Sequence, residues 1–199
     1  MRAQHGLAAA MLIAATTAHA EGQWLTVRAR IASETRVEAW GGGRSVGLGL
    51  MTPAGADNAR RAWSAELAYA FVDRVFEARA AHVWQLTKPQ FATASATLGA
   101  SGFLVPGSSN AGIGPTAGLS LSLGGPRFSV DLGLQTGIDL FATGTSPRLP
   151  QRATIGVTGR ILDFTLSAMA RAGADIVPNH AFVGRADFVL CIGWLFAMR

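Results

Sequence analysis

Lysine is all but missing from this sequence. Lys88 is the only one, and the other basic residues are arginines. Charged residues make up 15% of the chain and hydrophobic residues 49%, whereas an ordinary soluble domain carries about 25% charge. So little charge is a poor match for a surface that faces water. The formal charge of +5 could suggest nucleic acid, but the arginines do not cluster in runs, so no phosphate-tracking face is expected. The single cysteine, Cys191, excludes an internal disulfide and is read as a small side chain in a packed strand. With one cysteine and, after residue 20, only the distant histidines His82 and His180, no metal-ligand spacing appears. Gly41-Gly42-Gly43 is not followed by the Gly-Lys-Ser/Thr of a phosphate loop. No cofactor is implied. After the N-terminal segment, no stretch approaches the ~18 consecutive apolar residues of a membrane-spanning helix.

What is present begins with an address. Residues 1–20 read as a signal peptide: Arg2 supplies the positive start, Leu7 to Ala15 the apolar run, and Ala18-His19-Ala20 the small residues of a cleavage site before Glu21. No cysteine follows the cleavage site, so no lipoprotein anchor is expected. Residues 21–199 then form a single domain with no linker inside it. An exported, apolar chain without a spanning helix has one other way to satisfy its backbone in lipid, a closed β-barrel.

Period-two alternation dominates those residues. Phe128, Val130, Leu132, Leu134, Ile138 and Leu140 share one face, against Ser129, Asp131, Gly133, Gln135, Gly137 and Asp139 on the other. The same pattern marks residues 25–31, 63–71, 76–86, 117–123, 155–161, 164–171 and 182–196. Weaker strands are expected at 37–51, broken near the glycine run, and at 91–103. The expected fold is all-β, a closed antiparallel up-and-down transmembrane barrel of about ten strands, or eight if two weak segments are loops. Turn residues separate the strands at 53–61, 73–74, 88–89, 106–115, 124–126, 142–151, 162–163 and 175–180. Alternation of short inner turns with long outer loops holds from the C-terminus back to residue 106. It then sets the long 53–61 segment inside and the tight 73–74 turn outside, which points to a miscounted strand between residues 73 and 104.

The two faces differ in chemistry. One parity collects Arg28, Arg30, Glu66, Glu77, Arg79, Asp131, Asp139, Arg160, Arg171, Arg185 and Asp187, with Gly, Ser, Thr and Ala between them. Charges of both signs that converge on a narrow lumen would pair there. The opposite parity is almost free of charge, as hydrocarbon demands. Trp63, Phe71, Phe76, Trp84, Phe128, Phe141, Phe164, Phe182, Trp194 and Phe196, with Phe91 and Phe103, fall at strand ends, where they would form interfacial girdles. His82, near Trp84, is expected at the same interface.

The last strand, with Phe188, Leu190, Ile192, Trp194 and Phe196 at alternating positions, resembles the C-terminal strand of bacterial outer-membrane β-barrel proteins. It departs from that pattern in ending on Ala197-Met198-Arg199. The resemblance implies a location in the outer membrane, with membrane lipids and the barrel-assembly machinery as partners. It says nothing of a small-molecule ligand, because this fold hosts many activities. The expected role is structural, scaffold or narrow pore, without catalysis. Two alternatives remain. Ser109-Asn110-Ala111-Gly112 resembles a fragment of an outer-membrane lipid A deacylase, but the position of that family's histidine base is Gly107 here. A soluble lipocalin-like barrel would also alternate, with its charges turned outward.

Overall fold

The computed structural model describes residues 34–55, 60–88, 91–142, 147–176 and 183–196. The expected signal peptide and the strand expected at 25–31, with Arg28 and Arg30, lie outside the described residues, as does Phe182. The described chain is strand throughout: β1 (Thr35–Gly42), β2 (Ser45–Pro53), β3 (Arg61–Ala70), β4 (Val75–Gln85), β5 (Ala92–Leu104), β6 (Ala111–Gly124), β7 (Phe128–Gly137), β8 (Leu140–Phe141), β9 (Leu149–Ile161), β10 (Phe164–Ile176) and β11 (Val183–Phe196).

Strands pair antiparallel with their chain neighbours, except that β8 pairs with β6 and β7 with β9, and β1 pairs with β11 from Thr35↔Phe196 to Gly42↔Val189. The sheet therefore closes on itself and leaves no edge to expose unpaired backbone groups. β7 and β8 both lie against β6 and together form one interrupted stave. The barrel thus has ten staves.

The interruption has a local cause. The carbonyl of Ile138 lies so close over Gly114 that a side chain there could not be accommodated. Ile138 N–H donates to Pro115 O (3.0 Å), and Asp139 leaves the β6 ladder to bridge Arg148. At the other close approach, Gly47 lies beneath the indole of Trp40, its register partner across β1–β2, where a Cβ would collide with the ring.

The weak segment at 37–51 is a full hairpin, β1 and β2 joined at Gly43-Arg44. The connections alternate between two rims. The first rim carries residues 54–55, 60, 86–88, 91, 125–127 and 162–163; the second carries 43–44, 71–74, 105–110, 142 and 147–148, and β10 ends and β11 begins there. The count between residues 73 and 104 is corrected: it holds two strands, β4 and β5, paired directly from Phe76↔Leu104 to Gln85↔Ser95. The long 53–61 connection shares a rim with the 162–163 turn, and the tight turn at residues 71–74 sits at the opposite rim. Turn chemistry, not the side of the barrel, sets these lengths. Arg74 adopts φ 55° to close β3–β4.

At the second rim the ladder also runs further than the apolar pattern does. Ala111 to Pro115, Leu149 to Gln151, and Asp175 and Ile176 are strand, not loop. A register already fixed by the neighbouring strand carries polar and small residues along.

Candidate functional site: the charged interior

Strand pleating sends successive side chains to opposite walls. On β7, Leu134 is 65% exposed on the outside while Asp131 is 2% exposed on the inside. The outer wall repeats this with Leu48, Leu67, Leu119, Ile155, Leu166 and Leu190, all exposed, and the inner wall with Ser95, Ser120, Ser122, Thr97 and Thr165, all buried. An apolar exterior around a polar, charge-bearing interior is the reverse of a water-soluble barrel.

The chain is a closed antiparallel β-barrel with its apolar wall outward. In comparisons with solved structures this barrel is similar to the KdgM porin in complex with disordered oligogalacturonate (10% identity, TM-score 0.46, covering 83% of this chain and 99% of that one). It is also similar to the NanC porin (13%, 0.44, 84% and 100%) and the outer membrane channel DcaP of Acinetobacter baumannii (10%, 0.38, 84% and 60%). No family model and no curated protein matches the sequence.

Inside the barrel the charges fall into separate groups. Toward the second rim, the Arg148 guanidinium donates through Nε and Nη2 to Asp139 Oδ2, and through Nη1 to Asp175 Oδ2 at 3.0 Å. Arg152 Nη1 donates to the other Asp175 oxygen at 2.9 Å. Phe103 lies under Arg148, its ring centroid 5.7 Å from the guanidinium carbon. Arg171 pairs with Asp187 across β10–β11 at 2.9 Å and covers the face of Trp40. Arg79 faces Glu66 in register across β3–β4. With its amide oxygen toward Arg79, Gln135 accepts from Nη1 and Nη2 at 3.1 and 2.7 Å. Arg36 pairs with Glu38 at 3.0 Å.

Asp131 departs from the ion pair expected of it. Its oxygens accept from the hydroxyls of Ser122 (2.6 Å), Thr158 (2.8 Å) and Ser129 (3.2 Å). Three O–H donors from β6, β9 and β7 itself satisfy the carboxylate without a cation. Arg160 stands at the first rim, half-exposed, paired with Glu34 at 3.3 Å. Glu77 is half-buried on the inner wall. Arg185 pairs its backbone with Gly173, and its side chain lies outside the described residues.

Sequence reading missed Arg36, Glu38, Arg148, Arg152 and Asp175. Arg148 and Asp175 fell in segments read as loops. Arg36 and Glu38 precede or begin a strand read as weak, although Arg36-x-Glu38 has the right parity.

The aromatics need correction as well. Trp63, Trp84, Phe128, Phe164, Trp194 and Phe196 stand on the outer wall at the first rim, with Phe164–Trp194 centroids 4.7 Å apart and Trp194–Phe196 stacked at 5.5 Å. His82 lies between Trp63 and Trp84, 4.5 and 4.3 Å from their rings. Phe76 and the turn residue Phe71 are exposed toward the second rim. Phe103 and Phe141 instead pack inside, edge to face at 5.4 Å, with Ala70 and Val75. Phe141 has the parity opposite to the exposed Leu140, so a strand-end position did not place it on the outer wall. Cys191 is buried on the inner wall with Trp40, Val189 and Met169. Ser109 is exposed on the 105–110 loop at the second rim, whereas His82 is near the first.

Proposed function

We propose that this chain is a non-catalytic barrel of the bacterial outer membrane with a structural role, its interior too narrow for bulk solute flow. The observation that supports this is the closeness of the inner wall. Between Glu66, Arg79, Thr116, Asp139 and Arg148 the cavity measures about 40 Å³, room for a water or two. Around it the inward polar side chains are largely buried, and Arg148, Asp139, Asp175, Arg152, Arg171 and Asp187 are held in ion pairs. Ten staves give a small enough circumference for side chains to fill the middle. Cations and anions alternate around the wall, so no single-sign ring is built for ion selection.

The test is planar-bilayer recording of the refolded protein, verified by a mobility shift on boiling. The expected record is quiet, and R148M/R152M is expected to raise leak where the wild type shows none. Regular open-channel steps from the wild type would overturn the sealed-barrel reading.

A further inference from the structure

We propose that the first rim is a docking band for anionic phospholipid headgroups, built on neighbouring hairpins by Arg60, Arg61, Lys88 and Arg127. All four are exposed. Among the described residues, none makes a hydrogen bond through its side chain or an ion pair. The second rim is mostly paired: Arg44 pairs with Asp73, Arg148 with Asp139 and Asp175, and Arg171 with Asp187, which leaves Arg74 exposed without an ion pair among the described residues. At the first rim the described acids are Glu34, which is engaged by Arg160, and Asp163. Unpaired positive charge among the described residues is therefore concentrated at the first rim, four side chains against Arg74 at the second.

The four residues are placed by backbone bonds, not left to wander. Gln85 N–H donates to Arg60 O (2.7 Å), and Ala54 N–H to Arg61 O (2.9 Å). Gly124 N–H donates to Phe91 O (2.7 Å), tying the turn that bears Lys88 to the turn that bears Arg127. Arg61 shares the outward parity of Trp63 and lies in register with Trp84. Phe91 and Phe128, 76% and 58% exposed, continue the aromatic band below Lys88 and Arg127. Cations immediately beyond an outward aromatic band lie at the depth where lipid phosphates lie, with the rings in the acyl–headgroup boundary. Charge complementarity selects the occupant: an anionic headgroup supplies the charge that this rim lacks, and a zwitterionic one does not.

This rests on the barrel residing in a bilayer, and the test separates the two. The full chain is reconstituted in phosphatidylcholine vesicles containing a fraction of brominated phosphatidylglycerol, or brominated phosphatidylcholine for comparison. Quenching of the outward tryptophans Trp63, Trp84 and Trp194 reports which lipid sits at this rim. The wild type is expected to favour phosphatidylglycerol by about fivefold or more, the scale of one basic side chain at an anionic surface. The preference is expected to fade as salt shortens the screening length from about 10 Å at 0.1 M to about 3 Å at 1 M. R60Q/R61Q/K88Q/R127Q is expected to lose the preference while keeping heat-modifiable mobility; R44Q/R74Q, at the other rim, is expected to keep it. No preference in the wild type, an undiminished preference in the quadruple variant, or an equal loss in both variants would each overturn the band. A wild type that fails to insert even into pure phosphatidylcholine would overturn the membrane reading itself.

Discussion

Leu134 and Gln135 are consecutive on β7 and belong to different worlds. The first is 65% exposed on the outer wall, and the second is 7% exposed on the inner wall, against Arg79 and in register with Arg152. The same contrast repeats around the ring. Outside, stability comes from matching hydrocarbon, which needs only apolar side chains and no particular partner. Inside, it comes from named partners, because a buried charge is tolerated only when it is met. One wall is tolerant of sequence and the other is not.

The largest test of that contrast is Arg148→Met. It removes the cation shared by Asp139 and Asp175 and leaves Asp139 buried without its partner. The expected loss is about 3–5 kcal/mol, the usual cost of breaking a buried pair from one side. It would be read as a lower urea midpoint of folded, heat-modifiable barrel in detergent. Adding Asp139→Asn should recover a substantial part. An unchanged midpoint in the single variant would show that the inner wall tolerates lone charges as water does.

The outer wall is tested by depth. Leu134→Arg puts a guanidinium in mid-strand hydrocarbon and should cost about 2–4 kcal/mol in lipid vesicles, whereas Leu86→Arg at the first rim should cost about 1 kcal/mol or less. Equal costs at the two depths would remove the membrane from the explanation.

That depth dependence is also why the barrel could be read from sequence and its interior only in part. Hydrocarbon imposes one rule on every outward residue, and the rule survives as strict alternation, as in Phe128 to Leu134. The inner network obeys pairwise rules among residues far apart in sequence. Arg148 and Asp175 are 27 positions apart, and Arg148 precedes β9 while Asp175 ends β10. Nothing local marks them, and both sit among turn-forming residues in the sequence. Asp131 shows the complement: its parity was legible, but its partners were hydroxyls that no charge pattern announces. Phe141 shows the limit of position alone: the alternation runs on through Ile138-Asp139, with Leu134, Ile138 and Leu140 outward, and Phe141 falls on the inward parity although it ends a strand.

A finer probe of the inner wall concerns shape rather than charge. Gly47→Ala sets a methyl against the Trp40 indole and the Leu67 carbonyl. Trp40 cannot retreat, because Ala68, Met169, Val189 and Cys191 pack with it inside. A loss of about 1–3 kcal/mol is expected, as for other overpacked interiors. It should be accompanied by altered near-ultraviolet circular dichroism from Trp40. Gly159→Ala, where a Cβ meets open space, should be close to neutral. Similar effects at the two glycines would mean that Trp40 is loosely held.

The smallest effect belongs to neither wall. Leu162 closes the β9–β10 turn at φ 55°, a left-handed backbone that costs a side-chain-bearing residue about 1–2 kcal/mol. Its side chain is 83% exposed at the first rim. Leu162→Gly removes the strain and surrenders an apolar side chain at the interface, while the looser unfolded chain takes back part of the gain. The net expectation is a stabilisation of under about 1 kcal/mol in detergent. In vesicles, where Leu162 has an interface to enter, it should shrink toward zero. A clear loss in both settings would show that Leu162 anchors the turn through its side chain, and that the rim takes part in holding the outer wall in the bilayer.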